Sequence, residues 1–164
     1  MSRHGDGIDL ETSLGYLLKE AASALRSAMD DALGPLGMTI THYSCLELLA
    51  QRPGLSGSEL ARGAFVTRQS MNVLLQSLED AGSVERPPEA RVGRVLPARL
   101  TESGRRDLAR ATAAVRTVER RMLDGLDDDE QDAARRALRA MVASLRGDGD
   151  GDSGGGGSEE SRAG

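Results

Sequence analysis

Cysteine and histidine, the side chains most used in nucleophilic and metal chemistry, are scarce in this chain. Its 164 residues include one cysteine, Cys45, and two histidines, His4 and His42. That leaves nothing for an internal disulfide, a multi-cysteine zinc site or a paired-histidine metal motif within one chain. No Gly-rich phosphate loop and no nucleophile elbow occurs, so an enzyme is not expected. Asp148, Asp150 and Asp152 alternate with glycine in the manner of a calcium loop, but no helical pattern follows them. The run Asp127 to Glu130 opens a helical pattern, where acidic residues favour initiation without any metal. Neither a metal nor a cofactor is expected.

The informative side chains are polar and mostly uncharged. From Arg68 to Ala81, Met71, Leu74, Leu75 and Leu78 recur at i, i+3, i+4 and i+7 and form one apolar stripe of a helix. At 100 degrees per residue the opposite side carries Gln69, Val73, Gln76 and Asp80, with Asn72 on its flank. A solvated helix face usually carries Lys and Glu. Amides, hydroxyls and a small apolar group instead suit the edges of bases in a major groove.

A DNA partner sits oddly with a formal charge of -5 until the charges are placed. Residues 1–55 carry 4 basic against 7 acidic groups, residues 56–106 carry 8 against 6, and residues 107–146 carry 8 of each. Residues 147–164 carry 1 against 5 and hold 8 of the 20 glycines with no large apolar residue. Such a tail cannot bury enough surface to offset the entropy of ordering, so it is expected to be a disordered acidic extension. Positive charge collects between Arg86 and Arg106, where six arginines face Glu89 and Glu102.

These groups must be positioned by helices. The first is expected from Leu10 to Leu33, ended by Gly34-Pro35, and the polar residues 1–9 before it are expected to be disordered. Thr41 is the expected cap of a second helix that turns Tyr43, Leu46, Leu49 and Ala50 inward. Ser56-Gly57-Ser58-Glu59 reads as a capping box for a short third helix, and Thr67 as the cap of the fourth, which Gly82 closes. Two short helices joined by a tight turn make a helix-turn-helix. Val84 to Arg86 and Arg94 to Leu100 read as two strands around a Gly/Pro-rich loop, with Pro97 at an edge or bulge. Thr101 then caps a helix to about Met122, and a last helix runs from Leu126 to Leu145. No run approaches the roughly 20 apolar residues of a membrane span and no signal-peptide pattern opens the chain, so a cytoplasmic protein is expected.

This order resembles the MarR family of transcriptional regulators. The resemblance rests on Leu14-Gly15-Tyr16-Leu17-Leu18, Leu55-Ser56-Gly57-Ser58-Glu59-Leu60-Ala61, Leu78-Glu79-Asp80-Ala81-Gly82, Val84-Glu85-Arg86 and Leu100-Thr101-Glu102-Ser103-Gly104, in that order. It implies a mainly α, α+β winged-helix fold over residues 10–146, with six helices and a two-stranded β-wing. Residues 41–100 would form the winged helix-turn-helix, and residues 10–36 and 101–146 the intertwined dimerisation layer of a homodimer. The implied function is a repressor of double-stranded DNA at a pseudo-palindromic operator, released by a small lipophilic or phenolic effector. By position, base reading falls to Thr67, Gln69, Ser70, Asn72, Val73 and Gln76, and backbone contact to Ser56, Ser58 and Arg68. Arg91 and Arg94 are the wing candidates. Many members carry Asp-Arg before the second strand, where this chain has Val92-Gly93 followed by Arg94.

By family topology the effector would lie near Tyr16, Met38, Ile40, His42 and Tyr43, with His42 able to pair with a ligand carboxylate. Two other readings stay open. Cys45 could make the regulator redox-responsive, which needs an exposed thiolate of low pKa, although free cysteine is among the most buried residue types. The altered wing and negative net charge also fit a dimeric interaction module that does not bind DNA.

Overall fold

Hydroxyl and carboxylate caps set where the helices begin. In the computed structural model, residues 7–86 and 98–147 are described. Helix α1 spans Leu14–Leu33, with Ser13 as its N-cap accepting a hydrogen bond from the Tyr16 amide. It therefore starts four residues later than Leu10, because Asp9 draws the Glu11 amide and the Thr12 hydroxyl into a turn ahead of it. A single 3-10 turn over Gly34–Leu36 follows, closed by Gly37 in the left-handed region at φ 70. Helix α2 spans Ile40–Gln51, and its cap is Thr39, not Thr41. Thr39 has the extended backbone of a capping residue and its Oγ1 accepts from the His42 amide, while His42 Nδ1 accepts from the Thr39 amide in return.

Helix α3 spans Gly57–Gly63 behind the expected Ser56 capping box, and α4 spans Arg68–Asp80 behind the expected Thr67 cap. Between them Phe65 takes a φ of 57, unusual for a residue with a side chain. Strands β1, Val84–Glu85, and β2, Arg99–Leu100, pair antiparallel with Val84 opposite Leu100 and Glu85 opposite Arg99. Helix α5 spans Glu102–Leu123 and α6 spans Asp128–Arg146, the latter with Asp127 and Glu130 forming the capping box. The acidic run at Asp127 thus caps a helix. The expected six helices and two-stranded sheet are all present among the described residues.

The chain divides into two compact units, the first ending at Met122 and the second beginning at Leu123. Two hydrophobic clusters organise the first. One joins Cys45, Leu46 and Leu49 of α2 to Leu60 of α3, to the stripe Met71, Leu74, Leu75 and Leu78 of α4, and to Val84 and Leu100 of the sheet. Each fully buried Leu or Met in it contributes about 1.5–3 kcal/mol relative to exposure. The other joins Met29 and Leu33 of α1 to Ala111, Val115 and Val118 of α5. Met38 and Tyr43 pack against both clusters.

A tight joint ties the start of α5 to the turn after α4. The Thr101 hydroxyl donates to the Gly82 carbonyl at 2.6 Å and accepts from the Gly104 amide at 3.0 Å, and the Thr101 amide donates to the Ser83 carbonyl at 3.1 Å. Buried Ser83 donates to Asp107 of α5 at 3.1 Å. Gly104 is required here, since a Cβ on it would lie 2.0 Å from the Ser83 carbonyl oxygen.

Candidate nucleic-acid interface

The stripe of α4 is buried from Met71 to Leu78, which leaves Gln69, Asn72, Val73 and Gln76 exposed on the outside of the same helix. Val73 is 68% exposed, a small apolar group set among amides. Among the described residues, no hydrogen bond engages the side-chain amide of Gln69 or of Asn72. Thr67 and Ser70 differ. Thr67 Oγ1 accepts from the Ser70 amide at 3.1 Å and donates to Ser70 Oγ at 2.9 Å, so the pair first orders the opening turn of the helix.

A groove of about 350 Å³ runs beside this face, lined in part by Ser56, Ser58, Arg68, Asn72 and Arg86. The hydroxyl of Ser56 accepts from the Glu59 amide, and the Glu59 carboxylate accepts from the Ser56 amide at 2.7 Å. These bonds from Ser56 hold the Glu59 carboxyl below the usual carboxylate range. The groove brings together hydroxyls, an amide and two guanidinium groups, a set suited to phosphate oxygens at one edge and a base at the other. Arg91 and Arg94, the wing candidates, lie outside the described residues, as do Pro97 and the acidic tail. The Asp-Gly stretch in that tail carries Glu159 twelve residues along when Asp148 is counted as the first, and Ser153 where a calcium loop has its turn glycine.

One cluster at the far end of α4 left no trace in the sequence pattern. Gln76 donates through Nε2 to Asp80 Oδ1 at 3.0 Å and accepts at Oε1 from Arg86 Nη2 at 3.4 Å. The same guanidinium forms a close, partly buried ion pair with Glu79. The Arg86 contact holds the Glu79 carboxyl below its ordinary range and raises the Arg86 pKa in turn. Glu79 and Arg86 face each other only because Gly82, at φ 74, reverses the chain between them.

On the effector side, Met38, Ile40 and Tyr43 are brought together against the second hydrophobic cluster, whereas Tyr16 is half exposed on α1 and belongs to neither cluster. Burial pushes the Tyr43 hydroxyl pKa up. His42 is occupied by the Thr39 cap, and burial lowers its pKa, which opposes the charged form that pairing with a carboxylate would need. Cys45 overturns the requirements of a redox sensor. It is fully buried, its thiol contacts Met71 Sδ at 3.8 Å, and burial pushes its pKa up to about 11. A reactive thiolate needs the opposite on both counts.

Among the described residues no group of acidic, histidine or cysteine side chains could hold a metal ion, and no helix is long and apolar enough to cross a membrane. Helix α6 buries none of its residues, and Leu138, Val142 and Leu145 are 45%, 46% and 87% exposed. In the first unit, Leu14, Leu17 and Leu18 of α1 are exposed, and Ala21, Leu25, Ala28, Val118 and Met122 line an apolar cavity of about 260 Å³.

A winged helix-turn-helix with a polar, amide-rich outer face on its second short helix defines the class as a DNA-binding regulator. Residues 36–95 match the family model described as MarR family. The HTH-type transcriptional repressor Rv2887 of Mycobacterium tuberculosis is 45% identical over 135 residues, covering 82% of this chain and 97% of the relative. The crystal structure of Rv2887 with DNA superposes with a TM-score of 0.67 at 43% identity, covering 79% of this chain and 98% of that one. Its complex with salicylic acid gives a TM-score of 0.66 at 46% identity, covering 79% and 96%. The chain belongs to the MarR family of transcriptional regulators, whose members are not enzymes.

Proposed function

We propose that this chain is a homodimeric repressor that places α4 of each protomer in the major groove of a pseudo-palindromic operator. The observation that carries this reading is the exposed, amide-rich face of α4 set beside an arginine-containing groove. Gln69, Asn72, Val73 and Gln76 meet base edges, Thr67 and Ser70 stand at the entry of the helix, and Ser56, Ser58 and Arg68 meet phosphates. Arg91 and Arg94 carry the wing contact. The exposed apolar stripes of α1 and α6 support a second copy as partner, and a protein acting on chromosomal DNA works in the cytoplasm. The relative Rv2887 has been crystallised with salicylic acid and with p-aminosalicylic acid, which supports a small phenolic carboxylate as effector. Entering beside Met38 and Tyr43, it would push on both hydrophobic clusters at once and so shift α4 together with α5, which the joint at Thr101 and Gly104 ties to it.

The test is an electrophoretic mobility shift on the DNA upstream of the chain's own gene, with and without salicylate. A specific complex that salicylate dissociates is expected. Arg68→Ala should weaken binding to all sequences and reduce its salt dependence, whereas Asn72→Ala should change sequence preference. Absence of any specific complex at low salt would leave the interaction-module reading in its place.

A further inference from the structure

The Gln76 amide is gripped at both ends before any DNA arrives. Its Nε2 donates to a carboxylate, Asp80, and its Oε1 accepts from a cation, Arg86. The charges decide which way round the amide lies, because a flipped amide would turn its oxygen to Asp80 and its N–H groups to Arg86. Arg86 is itself held by Glu79, which lies one helical turn after Gln76 on α4. Each end of the amide nevertheless keeps a free site: the nitrogen has a second N–H and the oxygen a second lone pair. One acceptor beside one donor is what adenine requires, its N6 amino group donating and its N7 accepting. Guanine offers two acceptors, O6 and N7, and a fixed amide oxygen would face O6 without a proton between them.

We propose that Asp80 and Arg86, the latter held in place by Glu79, are positioning residues that lock the Gln76 amide in the orientation that reads adenine and rejects guanine. The inference rests on the reading of α4 as the base-contacting helix and adds which base Gln76 selects and what sets the choice. Glu79 needs no contact with DNA in this arrangement. Its removal should therefore relax selectivity while lowering negative charge near the phosphates, so overall DNA affinity holds or rises.

The experiment is selection from a randomised duplex DNA library with the full-length wild type and with Gln76→Ala, Glu79→Ala, Arg86→Ala and the Gln76→Ala/Glu79→Ala pair, each checked for an unchanged melting profile. Wild type is expected to enrich adenine over guanine by about tenfold at one symmetry-related pair of positions, the discrimination of one bidentate contact. Gln76→Ala and Glu79→Ala should both reduce that preference below about threefold at the same positions, with no further loss in the pair and no change elsewhere. Arg86→Lys, which keeps a cation beside Gln76, should retain more of the preference than Arg86→Ala. Unchanged adenine preference in Glu79→Ala, while Gln76→Ala loses it, overturns the positioning role and leaves the DNA-binding reading intact. A uniform loss at all positions in Glu79→Ala also overturns it, since that is the mark of a merely structural contact. A wild type that enriches no sequence overturns both.

Discussion

Helices α4 and α6 are both strongly amphipathic, yet their apolar stripes meet opposite fates. On α4, Met71, Leu74, Leu75 and Leu78 are all buried, packed against α2, α3 and the sheet. On α6 no residue is buried, and Leu138, Val142 and Leu145 stand exposed. A periodic stripe therefore specifies that a face will be covered and says nothing of what covers it. The polar sides differ too. That of α6 carries charged residues such as Asp132, Arg135, Arg136 and Arg139, as a solvated helix does, whereas that of α4 carries the amides Gln69, Asn72 and Gln76, with Asp80 at its end. Folding accounts for the inner side of α4, and its outer side keeps the amides of Gln69 and Asn72, which no hydrogen bond among the described residues uses.

Substitutions can break this contrast, beginning with the largest effect on the fold. Met71→Ala should destabilise the protein by about 2–5 kcal/mol in chemical denaturation, because it opens a cavity in the centre of the first cluster. Ser56→Ala should cost about 1 kcal/mol through loss of the α3 cap. A smaller effect is expected from acid. His42 Nδ1 accepts from the Thr39 amide only while unprotonated, and burial lowers its pKa below the usual 6.5. The unfolded chain binds that proton first, so stability should fall as pH drops below about 6.5, and His42→Gln should remove this part of the slope. The smallest effect on the protomer should come from Leu138→Glu with Val142→Glu, within about 0.5 kcal/mol, as for ordinary surface positions. The same pair should abolish the dependence of melting temperature on protein concentration that a dimer produces. Loss of protomer stability comparable with that of Met71→Ala would show that the α6 stripe is covered within its own chain.

The helices of the fold were legible because their signals are local. The Ser56 box, the Thr67 cap, the α4 stripe and the glycine at 82 lie within a few residues of what they control. The start of α2 was misplaced for the same reason. A capping box is sought as hydroxyl and carboxylate or carboxamide, and here an imidazole, His42, fills the third position and moves the cap to Thr39. The exposed face of α4 was legible from its periodicity alone. The grip on Gln76 was not, because Arg86 reaches it from beyond the Gly82 turn, and no repeat links residues seven and ten apart across a chain reversal. Burial of Cys45 was legible only as a tendency of its residue type. The packing of α2 against α4, which seals the thiol beside Met71, is a tertiary fact.

The joint at Gly104 makes α5 a long lever with a short opposing arm. Its 22 residues span about 33 Å at the usual rise, and the 13 of α4 about 20 Å. With Thr101, Ser83 and Gly104 seized together at the pivot, the two helices keep their angle. A sideways push of about 2 Å at the far end of α5 would then turn the pair by roughly four degrees and sweep the free end of α4 by a little over 1 Å, more than the roughly 0.5 Å range over which N–H···O hydrogen bonds hold. Leverage of this kind must carry α1 with α5 and α2 and α3 with α4, because the two hydrophobic clusters join them. Its vulnerable point is one glycine: any bulkier residue at position 104 would pry the pivot open and leave the two helices free to move independently.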